Sequence, residues 1–454
     1  MKDVTESRIE PTETLFLWDA ALAARSRPPY IPFFVNFRRR KRSIHHAEAH
    51  ADEAPSKIRV LEHAMVPQGH APVVQTQAEL AELVAHLHAA GTFAYDTEFI
   101  GEETFHPRIC LVQVATAERV AIIDPTQTPD LSGIWSAVCD ERLLTLVHAG
   151  GQDVNAAQRA AGVLARNVID TQVGAALMGM PWPASLANTV ESLTGHRLSK
   201  GHTFTDWDAR PLTASQISYA ADDVRYLPLV WQRMQERLAE LGRVEWARRE
   251  CELEIEASES FDPESQVRRA CRGMTLRPRV MTILRELVVL RYDLARRKDV
   301  PPRTLLADAP LLDVARAKPE SVRELDDIRG LPRPVVQESG QEIIECIARA
   351  KDLPIERDRI WTPPDENADD RMKIDALWSI LNMRCIGMHL APTMVLTRQQ
   401  LSRWYLARQK DPAARLFADE DWRHAAIGTW LDSFLAGKER LELEWGPQGP
   451  QSAG

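Results

Sequence analysis

From about residue 71 to 240 the chain alternates short runs of β-branched and aromatic residues with stretches whose apolar positions recur every three to four residues. Glu79 to Leu87 is predicted as a short amphipathic helix, and Phe93 to Phe99, entered from a glycine, as a buried strand. Ile109 to Ala115 and Val120 to Ile123 are further strands, and the polar Thr116-Ala117-Glu118-Arg119 between them suggests a meander. Leu144 to His148 reads as a strand running through Ala149-Gly150-Gly151 into a helix from Gln152 to Ala160, followed by the short strand Val168 to Asp170. A long helical stretch from Thr213 to about Leu238 opens with the capping box Thr213/Gln216, and Pro228 inside it should kink or split it. Strands and helices interleaved in this way indicate an α/β domain.

The rest is helical. Ile283, Leu287, Leu290 and Leu294 follow the 3.6-residue period up to Pro301-Pro302, and helices resume near 310–317, 320–328 and 334–350, with Gly330 at a turn. A linker with Pro354, Pro363 and Pro364 leads into a second helical block from about 368 to 446. Residues before about 64 lack periodicity despite the basic run Arg38 to Arg42 and the histidines His45, His46 and His50. The expected organisation is a poorly ordered extension (1–64), an α/β domain (65–245) and two helical domains (270–352 and 366–447).

A length of 454 residues suits about three domains, and 44% hydrophobic with 27% charged residues is ordinary for a globular protein. There is no apolar run long enough for a membrane span, and no basic start followed by an apolar core that would mark a secretory signal. Cys110, Cys139, Cys251, Cys271, Cys346 and Cys385 lack CxxC or metal-ligand spacing, so they are expected as free thiols in a reducing, cytoplasmic setting. The net charge of -9 argues against a protein that coats nucleic acid, but it is unevenly spread. Between Arg268 and Arg303 eleven basic residues face only Glu286, Asp293 and Asp299, directly after an acidic run from Glu250 to Glu264.

Three separated fragments carry candidate chemistry. Asp96 and Glu98 lie two apart on a strand, so both carboxylates leave the same face, and a divalent cation is a natural compensator for such a pair. His148-Ala-Gly-Gly-Gln-Asp153 joins a strand to a helix; Asp153 there caps the helix or serves a site, and His148 either contacts substrate or packs in the core. Tyr219 and Asp223 are four apart on a helix and reach one point, and geometry alone leaves Asp222 as an alternative to Asp223. Each fragment alone has an ordinary structural explanation.

Taken jointly, Asp96-Thr97-Glu98-Phe99, His148 to Asp153 and Tyr219-x-x-x-Asp223 resemble the three motifs of the DEDD superfamily of 3′→5′ exonucleases, in its tyrosine-bearing branch, and most of all the ribonuclease D family. Ile122-Ile123-Asp124-Pro125, Asp170-Thr171-Gln172 and Thr205-Asp206-Trp207-Asp208-Ala209-Arg210-Pro211-Leu212 look like that family as well. The resemblance implies an RNase H-like α/β exonuclease domain, a mixed sheet with flanking helices, followed by two all-α HRDC-like bundles (helicase and ribonuclease D C-terminal). It implies that Asp96, Glu98, Asp153 and Asp223 hold two divalent metal ions, Mg²⁺ or Mn²⁺, about 3.5–4 Å apart. It assigns the last carboxylate to Asp223 and gives Tyr219 the role of orienting the attacking water. The implied activity is stepwise hydrolysis from the free 3′ end of RNA, with tRNA precursors as candidate substrates, releasing nucleoside 5′-monophosphates.

Phe99, His148 and Lys200 are candidate nucleic-acid contacts near the site, and Arg296, Arg297 and Lys298, with Arg291, are candidate phosphate contacts in the first HRDC-like block. Departures from the family pattern fall at Thr203, Phe204, Phe105 and Leu290. Trp404-Tyr405 and Trp422-Arg423 of the second block are compatible with stacking on RNA, though core burial is the simpler expectation. Nothing in the sequence calls for an obligate protein partner or a membrane. Two other readings stay open at this level: a DNA exonuclease using the same motifs, and a catalytically silent RNA-binding protein.

Overall fold

The structure is a computed structural model that describes residues 59–101, 103–198, 206–259, 261–271, 273–355, 365–446 and 449–452. Most of the expected N-terminal extension lies outside the described residues, as do Lys200, Thr203 and Phe204.

The strands β1 (Val73–Val74), β2 (Thr92–Ile100), β3 (Arg108–Ala115), β4 (Val120–Ile123), β5 (Leu144–Val147) and β6 (Val168–Asp170) form one mixed sheet in the order β1-β4-β3-β2-β5-β6. β2, β3 and β4 are antiparallel neighbours, the meander the alternation predicts. The link after β3 closes because the Thr116 N–H donates to the Arg119 carbonyl at 2.7 Å, while its hydroxyl accepts from Glu118 and Arg119. β1, β5 and β6 join in parallel.

Successive residues of a strand point to opposite faces, and the two faces build two cores. Tyr95, Val112, Val114 and Ile123 belong to one, with apolar residues of α1 (Gln77–Ala90), α2 (Ser132–Cys139) and α3 (Gly151–Ala161). Ala94, Leu111, Ala115 and Ile122 belong to the other, with residues of α4 (Thr171–Leu177), α5 (Leu186–Thr194), α6 (Ala214–Arg225) and α7 (Leu227–Glu240). The predicted long helix is therefore two. Its capping box forms at Thr213 and Gln216, and the chain breaks at Tyr226, with Pro228 in the first turn of α7, where a missing N–H costs nothing. Next, α8 (Val244–Glu259) packs against α3, α4 and β6, so the sheet-bound part of the chain runs past the 245 boundary expected from the sequence.

The first helical block comprises α9 (Pro263–Cys271), α10 (Pro278–Arg297), α11 (Pro302–Leu305), α12 (Asp308–Ala317), α13 (Val322–Asp326) and α14 (Arg333–Asp352) around its own core. Ile283 and Leu287 are buried there as the periodicity predicts, Leu290 is partly buried against them, and Leu294 is buried as well. The second comprises α15 (Ala368–Gly387), α16 (Pro392–Val395), α17 (Arg398–Lys410), a π-helical turn (His424–Gly428) and α18 (Thr429–Leu435). It does not stay helical to residue 446: Leu443–Gly446 and Gly449–Ser452 pair as a β-hairpin. No helix among the described residues is long and apolar enough to cross a membrane. The six cysteines form no disulfide.

Candidate functional site

Period-two geometry puts Asp96 and Glu98 of β2 on the face covered by α6, and α6 contributes Asp223. Carboxylate oxygens of Asp96, Glu98 and Asp223 all lie within 4.8 Å of one another. The two neighbouring aspartates of α6 are thereby separated. Asp222 pairs with Arg225 (3.3 Å), whose guanidinium also donates to the carbonyls of Pro67 and Gly69, so it anchors the entering chain. Asp223 faces the cluster and accepts a hydrogen bond from the Tyr219 hydroxyl. The Tyr219 ring lies 6.2 Å from that of Trp207. Trp207 is held in turn by Arg210, which donates to its carbonyl (2.8 Å) and clamps Asp124 through two nitrogens (2.6 and 3.0 Å).

Asp153 reaches the site from the other side of β2. It sits in the first turn of α3, buried, with one oxygen accepting from the Thr97 hydroxyl and its own carbonyl accepting from Tyr95 Oη (3.1 Å). The structure therefore gathers three of the four expected carboxylates into one cluster and sets the fourth beside it, on Thr97. The loop that carries Asp153 is fixed by Asp170, whose carboxylate accepts from the Ala149, Gly150 and Gln172 N–H groups (2.9, 3.1 and 2.8 Å). Ala149 adopts φ +56°, and a side chain at Gly150 would meet the Cβ of Val147 at 2.5 Å, so only glycine fits there. Thr97, Asp170 and Arg210 lie in segments that carry the family resemblance, but the sequence assigned none of them a role at the site. Asp170, on a strand end before Thr171-Gln172, carried a readable helix-cap signal.

Electrostatics mark this cluster as short of positive charge. Burial, then Asp153, Asp223 and Glu98, push the Asp96 carboxyl well above the usual carboxylate range. Burial with Asp223 and Asp153 raises Glu98 to about 8, and burial with Asp222 raises Asp223 to about 7 against the Tyr219 hydrogen bond. Burial lifts Asp153 to about 6 despite the Thr97 bond. Burial and the surrounding carboxylates also raise Tyr219, so its hydroxyl keeps its proton at neutral pH. An all-oxygen donor set in which carboxylates destabilise one another fits hard divalent cations such as Mg²⁺ or Mn²⁺.

The expected nucleic-acid contacts fare differently. His148 has both ring nitrogens bonded inside the protein, Nδ1 to Thr171 Oγ1 (2.9 Å) and Nε2 to the Ala184 carbonyl (3.1 Å), which leaves neither for substrate. Phe99 is half-buried at the end of β2, just after the register shift that separates it from Glu98. Arg291 is not a surface residue: it is 2% exposed and bonded to Asp308 and the Leu306 carbonyl. Arg296, Arg297 and Lys298 are paired with Asp293, Glu342 and Glu338. Trp404 and Trp422 are buried, with indole N–H groups donated to the Ala414 carbonyl (3.0 Å) and to Glu250 (2.8 Å).

Comparison with known proteins agrees with this geometry. Residues 72–239 match the family model described as 3′-5′ exonuclease, and residues 281–347 match the HRDC domain. Ribonuclease D of Gluconacetobacter diazotrophicus is 34% identical over 372 residues, 81% of this chain and 92% of that protein. Ribonuclease D of Escherichia coli is 32% identical over 283 residues, 62% of this chain and 75% of the relative. The crystal structure of the Escherichia coli RNase D, described as an exoribonuclease involved in structured RNA processing, superposes with a TM-score of 0.66 at 27% identity, covering 82% of this chain and all of that one. The chain belongs to the ribonuclease D family of 3′→5′ exoribonucleases, a divalent-metal-dependent family.

Proposed function

We propose that this enzyme removes nucleotides one at a time from the free 3′ end of structured RNAs, tRNA precursors among them, by two-metal hydrolysis that releases nucleoside 5′-monophosphates. The observation that carries this reading is the convergence of Asp96, Glu98 and Asp223 within 4.8 Å, with Asp153 alongside, in a chain of this family. Asp96, Glu98, Asp153 and Asp223 would hold the ions. When bound, divalent ions supply an acidified water and a counter-charge for the leaving oxygen. Tyr219, kept protonated and tied to Asp223, orients the attacking water and is not its base. Thr97 fixes one oxygen of Asp153 and leaves the other for the site. Trp207, clamped by Arg210, limits the sideways freedom of the Tyr219 ring.

Two considerations support structured RNA as substrate: the relative's description as an exoribonuclease involved in structured RNA processing, and the HRDC match at 281–347. The partnered state of Arg296, Arg297 and Lys298 means that phosphate there would compete with Asp293, Glu342 and Glu338. Their combined replacement by alanine is expected to flatten the salt dependence of RNA binding only modestly. Free thiols fit a reducing cytoplasm.

The test uses a tRNA-like RNA with a short 3′ tail and a DNA of matching sequence, each with Mg²⁺, Mn²⁺ or chelator. Mononucleotides should leave the RNA only when metal is present. Asp96→Asn and Asp223→Asn should each lower turnover by roughly 10³-fold or more, while Asp222→Asn, which touches the Arg225 anchor, lowers stability and spares chemistry. Turnover of DNA alone would make the protein a DNA exonuclease. Intact RNA under every metal, with binding retained, would leave a silent RNA-binding protein.

A further inference from the structure

Gln113 sits in the middle of β3, fully buried, and neither atom of its side-chain amide has a hydrogen-bond partner among the described residues. An amide buried without partners is costly, and native proteins satisfy nearly all such groups. A group of this kind in the central strand of a catalytic sheet therefore calls for a physical reason.

Register supplies one. Gln113 is directly opposed by Asp96 on β2 and by Ile122 on β4. Opposed residues of a ladder share a face and their Cβ atoms lie about 4.5–5.5 Å apart. The face is the one under α6, because Leu111 and Ala115, two positions either side of Gln113, belong to that core with Ala220, Ala221 and Val224. Val112 and Val114 belong to the opposite core. So the unpaired amide lies among apolar residues of that face, beneath the helix that carries Tyr219 and Asp223, with the cluster's Asp96 directly across from it. The hydroxyl of Thr97 is already committed to Asp153.

We propose that Gln113 is a positioning residue for the metal site, its Nε2–H donating to the Asp96 carboxylate when that group is ionised and ligating. The inference rests on the metal-dependent exoribonuclease reading above. A ligating carboxylate turns one oxygen to the cation, and a donor on the other oxygen fixes its orientation and strengthens the ligand. An amide does this without bringing a charge or a titration of its own to the site.

The measurement uses the full chain with Gln113→Leu and Gln113→Met, which keep the volume of the side chain and remove its polar atoms. In chelator, both variants should melt at or above the wild-type temperature, because the unpaired amide is gone. Mn²⁺ affinity, measured calorimetrically, should weaken about 10–100-fold, and turnover of a short single-stranded RNA should fall at low metal and recover at high metal. Wild-type Mn²⁺ affinity and turnover in both variants would overturn the proposal. A lowered melting temperature in both would overturn it too, since it would make Gln113 an ordinary part of the core. Wild-type protein that binds Mn²⁺ but releases no nucleotide would instead sink the exoribonuclease reading, while the effect of Gln113 on Mn²⁺ affinity would still be readable.

Discussion

The two helical blocks follow the same sheet domain in one chain but are attached to it in opposite ways. The block from α9 to α14 closes its own core and touches the sheet domain at the loop after β2, where the Phe105 N–H donates to Asp299 (3.1 Å) and the Phe105 ring meets Tyr292 edge-on (5.0 Å). The block from α15 to α18 has no separate core. Its Leu377, Leu381, Leu401 and Trp422 belong to the same cluster as Val230, Met234 and Ala247. Buried polar groups stitch the same seam: Arg243 donates to the carbonyls of Leu177, Met388 and His389, the Ala391 N–H to Ala176, and Arg423 with Trp422 to Glu250. Similar helical content thus conceals one module hung on the lip of the active site and another built into the catalytic unit. The C-terminal block backs α8, whose Cys251 thiol accepts from the Asp170 N–H, and Asp170 holds the loop of Asp153.

The sharpest way to break this contrast is to cut one buried ion pair in each block. Arg423→Met leaves Glu250 charged in the seam with its ion-pair partner gone and the Trp422 indole N–H still on it, a loss of about 3–5 kcal/mol, which should lower the melting of the catalytic unit by on the order of 10 °C. Arg291→Met removes the buried one of the two guanidiniums on Asp308, Arg303 being the other, inside the self-contained core. It should produce an early calorimetric transition of its own, with metal-dependent turnover of short RNA intact below the second transition. Loss of turnover along with the early transition would show that the two blocks are equally integral.

The sequence carried the sheet, its meander, the split at Pro228 and the three motif fragments, because period-two and period-3.6 patterns and capping residues are local. It also put Asp96 and Glu98 on one face of a strand and, by resemblance alone, set Asp223 rather than Asp222 with them; the Arg225 pairing that engages Asp222 depends on where the entering chain lies. What stayed hidden is long-range. A basic helix looks free until Glu338 and Glu342 arrive from α14, and Arg291 looks like its neighbours until packing buries it against Asp308. The two tryptophans of the second block are buried, as the simpler sequence expectation had them, but which surface they meet was not readable. The terminal hairpin has little periodic signal and reads as a continuation of the helices.

A pH series should separate the same two units by a smaller amount. Glu98 is raised from 4.5 to about 8 in the folded protein, with Asp223 and Asp153 raised in the same sense, so folding favours their protonated forms. That contribution to stability is complete below about 4.5 and disappears as pH climbs through about 8. In chelator, the melting of the catalytic unit should fall by several degrees between pH 5 and 8.5 relative to a Glu98→Gln variant, whereas the transition of the first block should show no dependence on that substitution. Adding Mg²⁺ should reverse the fall, with an effect that grows with pH because ionised carboxylates bind it. A Glu98→Gln protein with the wild-type pH slope would remove Glu98 from the account.

The smallest effect is expected at the contact that joins the hung module to the lip. Phe105→Ala removes one edge-on ring contact to Tyr292, worth about 1 kcal/mol, and leaves the stacking of Phe261 on Tyr292 at 3.9 Å in place. Neither block's melting should move by more than a few degrees. Short single-stranded RNA needs only the carboxylate site and should be degraded at the wild-type rate. Under the proposed function a tRNA-like RNA engages the module and the site together, so loosening their contact should raise KM for that substrate a few-fold and leave kcat unchanged. Equal loss on both substrates would mean that Phe105 supports the carboxylate strand β2 itself, and that the module is bound to the catalytic unit more tightly than its separate core implies.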